Sequence, residues 1–511
     1  MRKVVIVALA LGTAACASSP SYRRPEVAVP QTFRERLDSS EARPSADTTR
    51  AMRADSAGAA AADSADAAAD SVPQAVPPAA APETKVSRIG FWRDLQDSTL
   101  DRLIGELALA NLDVRSAIAR VRGARAVHSE AALDLAPIVT VGGSYTRQRL
   151  SGATFPIGSG TFPDQDIWDG GFDASWELDL FGRLRKTLQA QGAAVEVARE
   201  DLRNVHVSLT AELARSYFEL RGAQEQLGVA ERNAENQRRT LEVTRQRLEA
   251  GRGTAFDTER AQSQLSLTLS SIPPLEARVA DAQYRIGVLV GRPPAAVASE
   301  LQVAAALPEL PAVVDVGAPD SVVRARPDVA VAERQLAAER AFVGAAKADY
   351  LPRFFLGGNA GFTATTLDSL GEHGTFRYAV GPSFSWPALN LGRIKTRVDA
   401  ANARRDEAEA QYNQTVLLAL QDVESSLSRY RTARARVQRI QEAATASERA
   451  AELARLRFTG GVADFLQVLD AERTQLDAES QLAQGRTDAA TAYAALYKAL
   501  GGVAPASAGT Q

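Results

Sequence analysis

The side chain with the most distinctive chemistry is Cys16, the single cysteine among 511 residues. Two basic residues and an apolar run precede it, and Thr-Ala-Ala at 13–15 leads directly to it, as at the end of a secretory leader. A cysteine directly after small residues at the end of a leader resembles the position at which lipid is attached to a new N-terminus. The sequence therefore predicts a signal peptide at 1–15 and a lipidated segment at 16–33. An ordinary leader with an incidental cysteine is the alternative.

Catalytic and metal-binding chemistry has little material in this chain. There are three histidines, His128, His206 and His373, and none stands beside a convincing nucleophile motif. A metal cluster would need more His and Cys than the chain has, so we expect no enzyme activity, no metal and no cofactor. The formal net charge of −3 lacks the basic footprint of a nucleic-acid-binding protein.

One predicted strand carries a row of acids on a single face, because the acids alternate with apolar and small residues. They are Asp169, Asp173, Glu177 and Asp179. If this face lines a water-filled lumen, it is either simply solvated or favours cations, and both readings stay open.

A second charged group, around Arg326, has a local explanation. Arg324 and Asp328 flank it, and Pro327 follows it directly. Proline suits the first position of a helix and an acid suits the first turn, so this group is predicted to start a helix rather than to form a functional cluster.

These side chains are positioned by an internal duplication. The stretch Trp176–Arg185, WELDLFGRLR, ends an alternating strand pattern and begins a proline-free helical run. A matching junction follows 210 positions later, at 384–395, with Trp386 in place of Trp176. Before the junctions the offset between the copies is 215. The two copies therefore differ in the length of the loop between their paired strands, which is longer in the first copy.

Four amphipathic strands are predicted, two in each copy, at 137–150, 167–181, 352–365 and 376–390. Each spans about ten residues or more with aromatic residues toward its ends, which is typical of a transmembrane β-strand. A soluble sandwich is the alternative. Four strands cannot close a barrel, and an open edge is forbidden in lipid, so we expect oligomerisation, with a transporting lumen favouring three chains over two.

The remaining predicted segments are helices and linkers. The helical parts are 186–250 and 255–289 in repeat 1 (87–291), and 393–458 and 464–500 in repeat 2 (321–502). The linkers are an Ala/Asp/Ser/Pro-rich tether at 34–86, a connector at 292–320 and a flexible C-terminus at 503–511. A helix of about 64 residues is roughly 95 Å long, which exceeds the diameter of a globular domain.

With these motifs, the chain resembles the outer membrane factor family, the TolC-like exit ducts of tripartite efflux pumps, in its lipoprotein branch. The most specific motifs are SYRRPEVAVP after Cys16, WELDLFGRLR, VVRARPDVAVAERQLAAERA from Val322 and LDAERTQL near the turn between the last two predicted helices. The resemblance implies a mixed α and β fold: a homotrimeric outer-membrane β-barrel with four strands per chain, continued by a long α-helical periplasmic barrel.

The resemblance also implies partners and a function. The partners are a periplasmic adaptor protein, a proton-driven inner-membrane pump of the RND type and outer-membrane lipid. The expected function is a passive exit channel for small molecules such as drugs or metal ions. The exit duct of a type I protein secretion system and a non-conducting envelope spacer are the alternatives.

The expected gate lies at the periplasmic tips of the helices. Asp464 and Asp257 have capping explanations, Asp464 as an N-cap and Asp257 three residues after Thr254, whereas Asp470 has neither. By resemblance, Asp470 and Asp257 fall on acidic positions that ring the constriction, and Gln467 replaces a further acid. A threefold arrangement would bring like carboxylates together and favour bound cations.

Overall fold

The computed structural model describes residues 29–34, 91–151, 163–311, 314 and 316–502. The predicted signal peptide, Cys16, most of the tether and the C-terminus at 503–511 lie outside the described residues.

The described chain contains ten α-helices and four strands. The helices are α1 (Ser98–Ala110), α2 (Leu112–Leu133), α3 (Arg183–Glu249), α4 (Ala255–Ser270), α5 (Ile272–Leu289), α6 (Pro294–Glu300), α7 (Pro319–Ala325), α8 (Pro327–Ala348), α9 (Leu391–Thr459) and α10 (Phe465–Ala499). The strands are β1 (Ile138–Gln148), β2 (Gln165–Leu178), β3 (Arg353–Ala364) and β4 (Phe376–Ser385). The order helix, strand, strand, long helix, returning helix occurs twice, and the mixed fold with four strands per chain is confirmed.

The long helices α3 and α9 have 67 and 69 residues, so each is about 100 Å long. The start of α3 is set by Asp179, whose carboxylate accepts the backbone N–H groups of Leu184 at 3.1 Å and Arg185 at 2.9 Å. Gly182 has a φ of 79°, a left-handed conformation that turns the chain from strand to helix. This junction places the helices at one end of the sheet.

The strands form one antiparallel sheet in the order β1-β2-β3-β4. Where β2 meets β3, Gly171 pairs with Gly361, and a Cβ on Gly171 would lie 2.7 Å from the Cα of Gly361. The two copies therefore approach each other closely only because both positions are glycine. Large apolar side chains of the sheet are exposed in the single chain, including Val141, Phe172, Tyr378 and Phe384.

The main core lies around the middle of the helices and is rich in aromatic residues. The ring of Phe91 stacks on that of Tyr493 with centroids 4.4 Å apart. The hydroxyl of Tyr217 donates to Asp97 Oδ2 at 2.6 Å. Burial, together with this hydrogen bond, raises the pKa of Tyr217 to about 12. Phe33 inserts into the same cluster and is only 7% exposed.

Several predicted boundaries differ from those observed. The predicted helix 255–289 is divided at Ser271 into α4 and α5, because Pro273 and Pro274 lack the N–H groups that would continue the first helix. Strand β2 ends at Leu178 rather than 181, where Asp179 caps α3, and β4 ends at Ser385 rather than 390, shortly before Pro387. The connector at 292–320 includes the short helix α6 and the start of α7.

The predicted tether also begins one residue too early. The backbone N–H of Arg34 donates to Glu424 Oε1 at 2.8 Å, which ties residue 34 to α9. This bond could not be predicted from the sequence, because its two residues are 390 positions apart. Within the described residues, no helix is both long and apolar enough to cross a membrane.

Candidate functional site

Two helical hairpins form the end of the protein farthest from the sheet. Helix α3 turns into α4 at Gly251, and α9 turns into α10 at Gly461, with φ values of 65° and 75°. Both glycines adopt the left-handed conformation that commonly ends a helix. The two hairpins occupy equivalent places in the two copies, since the turn glycines are 210 positions apart.

Two of the predicted gate residues are part of helix caps. The carboxylate of Asp464 accepts the N–H of Gln467 at 3.1 Å and caps α10. The hydroxyl of Thr254 caps α4 by accepting the N–H of Asp257 at 3.2 Å, and it lies 2.7 Å from Asp257 Oδ2, to which it can donate. These acids therefore stabilise the starts of the returning helices, whatever else they do.

Asp470 is different, because its carboxylate forms no hydrogen bond or ion pair with any residue that the structure describes. The residue is exposed on α10, while Val468 and Leu469 beside it are buried against the other tip helices. Only its backbone carbonyl is engaged, accepting the hydroxyl of Thr474 at 2.9 Å. Asp470 is thus an accessible carboxylate at the tip.

The acid that fastens the two hairpins together, Glu472, was not predicted from the sequence. It is only 3% exposed. Its Oε1 accepts the hydroxyl of Thr240 on α3 at 2.8 Å and Nε of Arg455 on α9 at 2.9 Å. Arg455 also donates to Gln475 at 2.9 Å. The only sequence signal was an acid at a position that helical periodicity places on the buried face of α10.

An apolar cluster supports the same contact between the hairpins. Phe458 and Phe465 pack with ring centroids 5.8 Å apart at the base of the second turn. The guanidinium of Arg247, from the first hairpin, lies over the ring of Phe458 at 4.2 Å. The two hairpins of one chain therefore form a single packed unit.

Within the row of four acids that begins on β2, Asp169 and Glu177 are paired with arginine, whereas Asp173 is exposed. Asp169 receives two hydrogen bonds from Arg377 on β4, at 2.6 and 2.8 Å. Glu177 receives two from Arg183, at 2.7 and 3.0 Å. Asp179 accepts the backbone N–H groups of Leu184 and Arg185 at the start of α3. These pairs favour a hydrated, internally balanced surface over a cation-selective one.

Arg326 has the structural role expected from its sequence. It is buried, and its guanidinium donates to Asp328 at 2.6 and 3.0 Å, to Asp422 at 3.1 Å and to the carbonyl of Ala499 at 2.7 Å. Arg326 therefore connects three helices: the start of α8, the end of α10 and the middle of α9. No group of His, Cys, Asp or Glu in the described part of the chain is arranged to hold a metal ion.

Comparison with known proteins agrees with this architecture. A family model described as outer membrane efflux protein matches residues 103–292 and 318–502. The toluene efflux pump outer membrane protein TtgF of Pseudomonas putida is 28% identical over 82% of this chain and 86% of its own. The pyoverdine export outer membrane protein OpmQ, also of Pseudomonas putida, is 30% identical over 81% and 87%.

A solved structure of the outer-membrane channel OprN is 37% identical and superposes with a TM-score of 0.76. The match covers 83% of this chain and 98% of the OprN chain. The family model spans well over half of the sequence and includes both copies of the duplication. The chain therefore belongs to the outer membrane efflux protein family, whose members are passive outer-membrane channels and not enzymes.

Proposed function

We propose that the protein is the passive exit duct of a tripartite efflux pump and that it works as a homotrimer. The observation that carries this proposal is the continuity of one sheet, whose apolar side chains are exposed, with helices about 100 Å long. A sheet with exposed apolar residues suits lipid, and the helices are long enough to reach far from it.

The number of chains follows from the edges of the sheet. Within the described residues, β1 and β4 each pair on one side only. Such edges must be covered in a bilayer, and further copies of the same sheet can cover them. Two copies would give a barrel of eight strands, and side chains would fill its interior. Three copies would give twelve strands and leave room for a lumen.

The proposed partners are a periplasmic adaptor and a proton-driven inner-membrane pump of the RND type. The names of the relatives support efflux of small molecules, since toluene and pyoverdine are the cargoes named for TtgF and OpmQ. A lipid on Cys16 would add an anchor in the outer membrane. A closed barrel is already held firmly in lipid, so this anchor is auxiliary.

The proposed gate is the ring of hairpin tips, where three copies of two hairpins converge. Asp470 lines this ring as an accessible carboxylate. Asp257 and Asp464 contribute charge near it, Asp464 as the cap of α10 and Asp257 beside the cap hydroxyl of Thr254 on α4.

Electrical recording and export assays test the proposal together. The purified protein should produce stepwise currents in planar bilayers. Deletion of its gene in the native host should increase accumulation of a fluorescent efflux dye without changing the set of secreted proteins. Loss of a secreted protein with unchanged dye accumulation would indicate a secretion duct, and absence of current under all conditions would indicate a spacer.

A further inference from the structure

The four strands share one apolar face and one polar face, because successive side chains of a strand point to opposite sides of the sheet. Large apolar side chains predominate on the first face, among them Val139, Trp168, Phe172, Phe362, Tyr378 and Phe384. On the second face, every position of the described strands is polar, charged, glycine or alanine except Ile138, Ile167 and Phe355. In the proposed barrel the apolar face contacts lipid, so the polar face lines the lumen.

A network centred on Arg377 crosses three strands of the polar face. Its guanidinium donates two hydrogen bonds to Asp169 on β2, from Nη2 to Oδ1 at 2.6 Å and from Nε to Oδ2 at 2.8 Å. Nη1 donates to Asn359 Oδ1 at 2.9 Å, and Nε also donates to Thr363 Oγ1 at 2.9 Å. The hydroxyl of Thr363 donates to Asp169 at 2.6 Å. Asp169 thus has a counter-charge, and both of its carboxylate oxygens accept hydrogen bonds.

Asp173 is the unmatched charge on the polar face of the described strands. Glu177 is paired with Arg183 at 2.7 Å, and Arg353 with Asp349 at 2.6 Å. Asp173 is exposed, and its carboxylate makes no hydrogen bond or ion pair with a residue in the described ranges. A groove of about 600 Å³ opens beside it, so solutes in the lumen could reach this carboxylate.

The network around Arg377 occurs in one copy of the duplication and not in the other. The offset of 210 relates Arg377 to Ile167 on β2 and Asp169 to Ala379 on β4. Neither equivalent position carries a charge. Each chain would therefore contribute one such network to the proposed barrel.

We propose that Arg377 determines the charge selectivity of the barrel lumen. This inference rests on the proposed trimeric channel, with the polar face of each sheet turned to the lumen. By neutralising Asp169, Arg377 leaves Asp173 as the single unmatched carboxylate of this face, and the barrel admits neutral and anionic cargo as well as cations. Without Arg377, Asp169 becomes a second unmatched carboxylate in each chain, and the lumen favours cations.

The test measures the electrostatic potential on the polar face with single cysteines in a Cys16→Ser background. Ser144→Cys lies opposite Asp169 in the strand register, and Thr140→Cys lies opposite Asp173. Full-length trimers in outer-membrane vesicles are treated with a cationic or an anionic methanethiosulfonate, and the ratio of the two modification rates reports the potential at each cysteine. The measurement uses about 0.01 M salt, where charges interact over about 30 Å.

Arg377→Gln should raise the ratio of cationic to anionic modification at Ser144→Cys by about fivefold, because Asp169 loses its counter-charge. Adding Asp169→Asn to Arg377→Gln should restore the original ratio. Asp173→Asn should lower the ratio, chiefly at Thr140→Cys. All of these differences should shrink in about 1 M salt, where the screening length is about 3 Å.

Arg147 provides a matched control on the opposite face of the sheet. It is also paired with an acid, Asp164, at 3.2 Å, and it is three residues from Ser144 in the same strand. Arg147→Gln should leave the ratio at Ser144→Cys unchanged, because its side chain points away from the lumen. Val141→Cys, also on the apolar face, should react slowly with both reagents because lipid covers it.

Asp169→Asn tests the same pair with the opposite sign and does not depend on the folding of Arg377→Gln. It leaves Arg377 without its carboxylate, so the ratio at Ser144→Cys should fall. Trimers of Arg377→Gln and Asp169→Asn that both keep the original ratio would overturn the role of Arg377. An equal response to Arg147→Gln would do the same.

The reactivity of the cysteines separates failure of this inference from failure of the channel. If Ser144→Cys reacts faster than Val141→Cys but ignores Arg377→Gln, the barrel stands and the role of Arg377 is wrong. If Val141→Cys reacts fast and Ser144→Cys slowly, the polar face does not line a lumen, and the proposed barrel is itself wrong.

Discussion

Nε of Arg455 donates to Oε1 of Glu472 at 2.9 Å, and this bond links the two helices of the second hairpin. The hydroxyl of Thr240, from the first hairpin, donates to the same oxygen at 2.8 Å. One buried carboxylate thus holds together three helices from both copies of the duplication. Because the tips must be ordered to close a tunnel, this contact would support the proposed gate even though Glu472 is buried.

Glu472→Ala should destabilise the tips by about 2 kcal/mol, since the hydrogen bonds from Arg455 and Thr240 are both lost and Arg455 is left without its carboxylate. Limited proteolysis near the turns at 251 and 461 should become faster. Glu472→Gln keeps an acceptor oxygen and should be less affected. Equal cleavage of wild type and Glu472→Ala would show that the hairpins hold together without this contact.

Deleting residues 36–85 should leave folding intact, because their composition offers no apolar surface for a core. Phe33→Ala, just before this segment, should cost about 2–3 kcal/mol, since Phe33 is buried in the aromatic cluster. Heat resistance of the trimer measures both effects. A deletion that lowers heat resistance more than Phe33→Ala would mean that the segment packs on the body.

Cys16 should be the acylated first residue of the mature protein. Intact-mass analysis of protein purified from membranes measures this directly. Cys16→Ser with a standard leader should still give trimers, because the proposed barrel is expected to hold the protein in the membrane without the lipid. A mature chain that begins at any other residue would contradict the lipid assignment.

Asp470→Ala should loosen the closed channel and weaken block by divalent cations, because it removes the accessible carboxylates of the proposed gate ring. Asp257→Ala should do less, since the carboxylate of Asp257 lies 2.7 Å from the cap hydroxyl of Thr254. Single-channel recordings with and without Mg²⁺ compare the two variants. Unchanged conductance and block in Asp470→Ala would place the gate elsewhere in the tunnel.

The features that the sequence predicted well are those with local or repeated signals. The strand alternation, the long proline-free helices and the helix caps at Asp464 and Thr254 each depend on residues a few positions apart, and the duplication repeats such local patterns at a fixed offset. The break at Ser271 was harder to predict, because two prolines can either kink a helix or end it.

The contacts that the sequence did not predict join residues far apart in the chain. Thr240 and Glu472 are 232 residues apart, and Asp169 and Arg377 are 208 apart. Periodicity can place Glu472 on a buried face but cannot name the groups it meets there. The acids of β2 were interpreted as a candidate cation-selective face because the sequence does not show which arginines pair with them.

The central claim is that three sheets close into one barrel, and the duplication gives the register of the closing contact. Within the chain, Asp173 on β2 pairs with Asn359 on β3. Adding the offset of 210 to Asp173 gives Ser383 on β4, and subtracting 215 from Asn359 gives Ser144 on β1. Ser383 of one chain should therefore lie opposite Ser144 of the next.

Disulfide cross-linking in membranes measures this contact most directly. Ser144→Cys/Ser383→Cys in a Cys16→Ser background should give a ladder of linked chains that ends at three on a non-reducing gel. Thr140→Cys/Ser383→Cys, displaced by four residues or about 13 Å, should not cross-link. A ladder that ends at two, or cross-linking by the displaced pair but not by Ser144→Cys/Ser383→Cys, would contradict the proposed trimeric barrel.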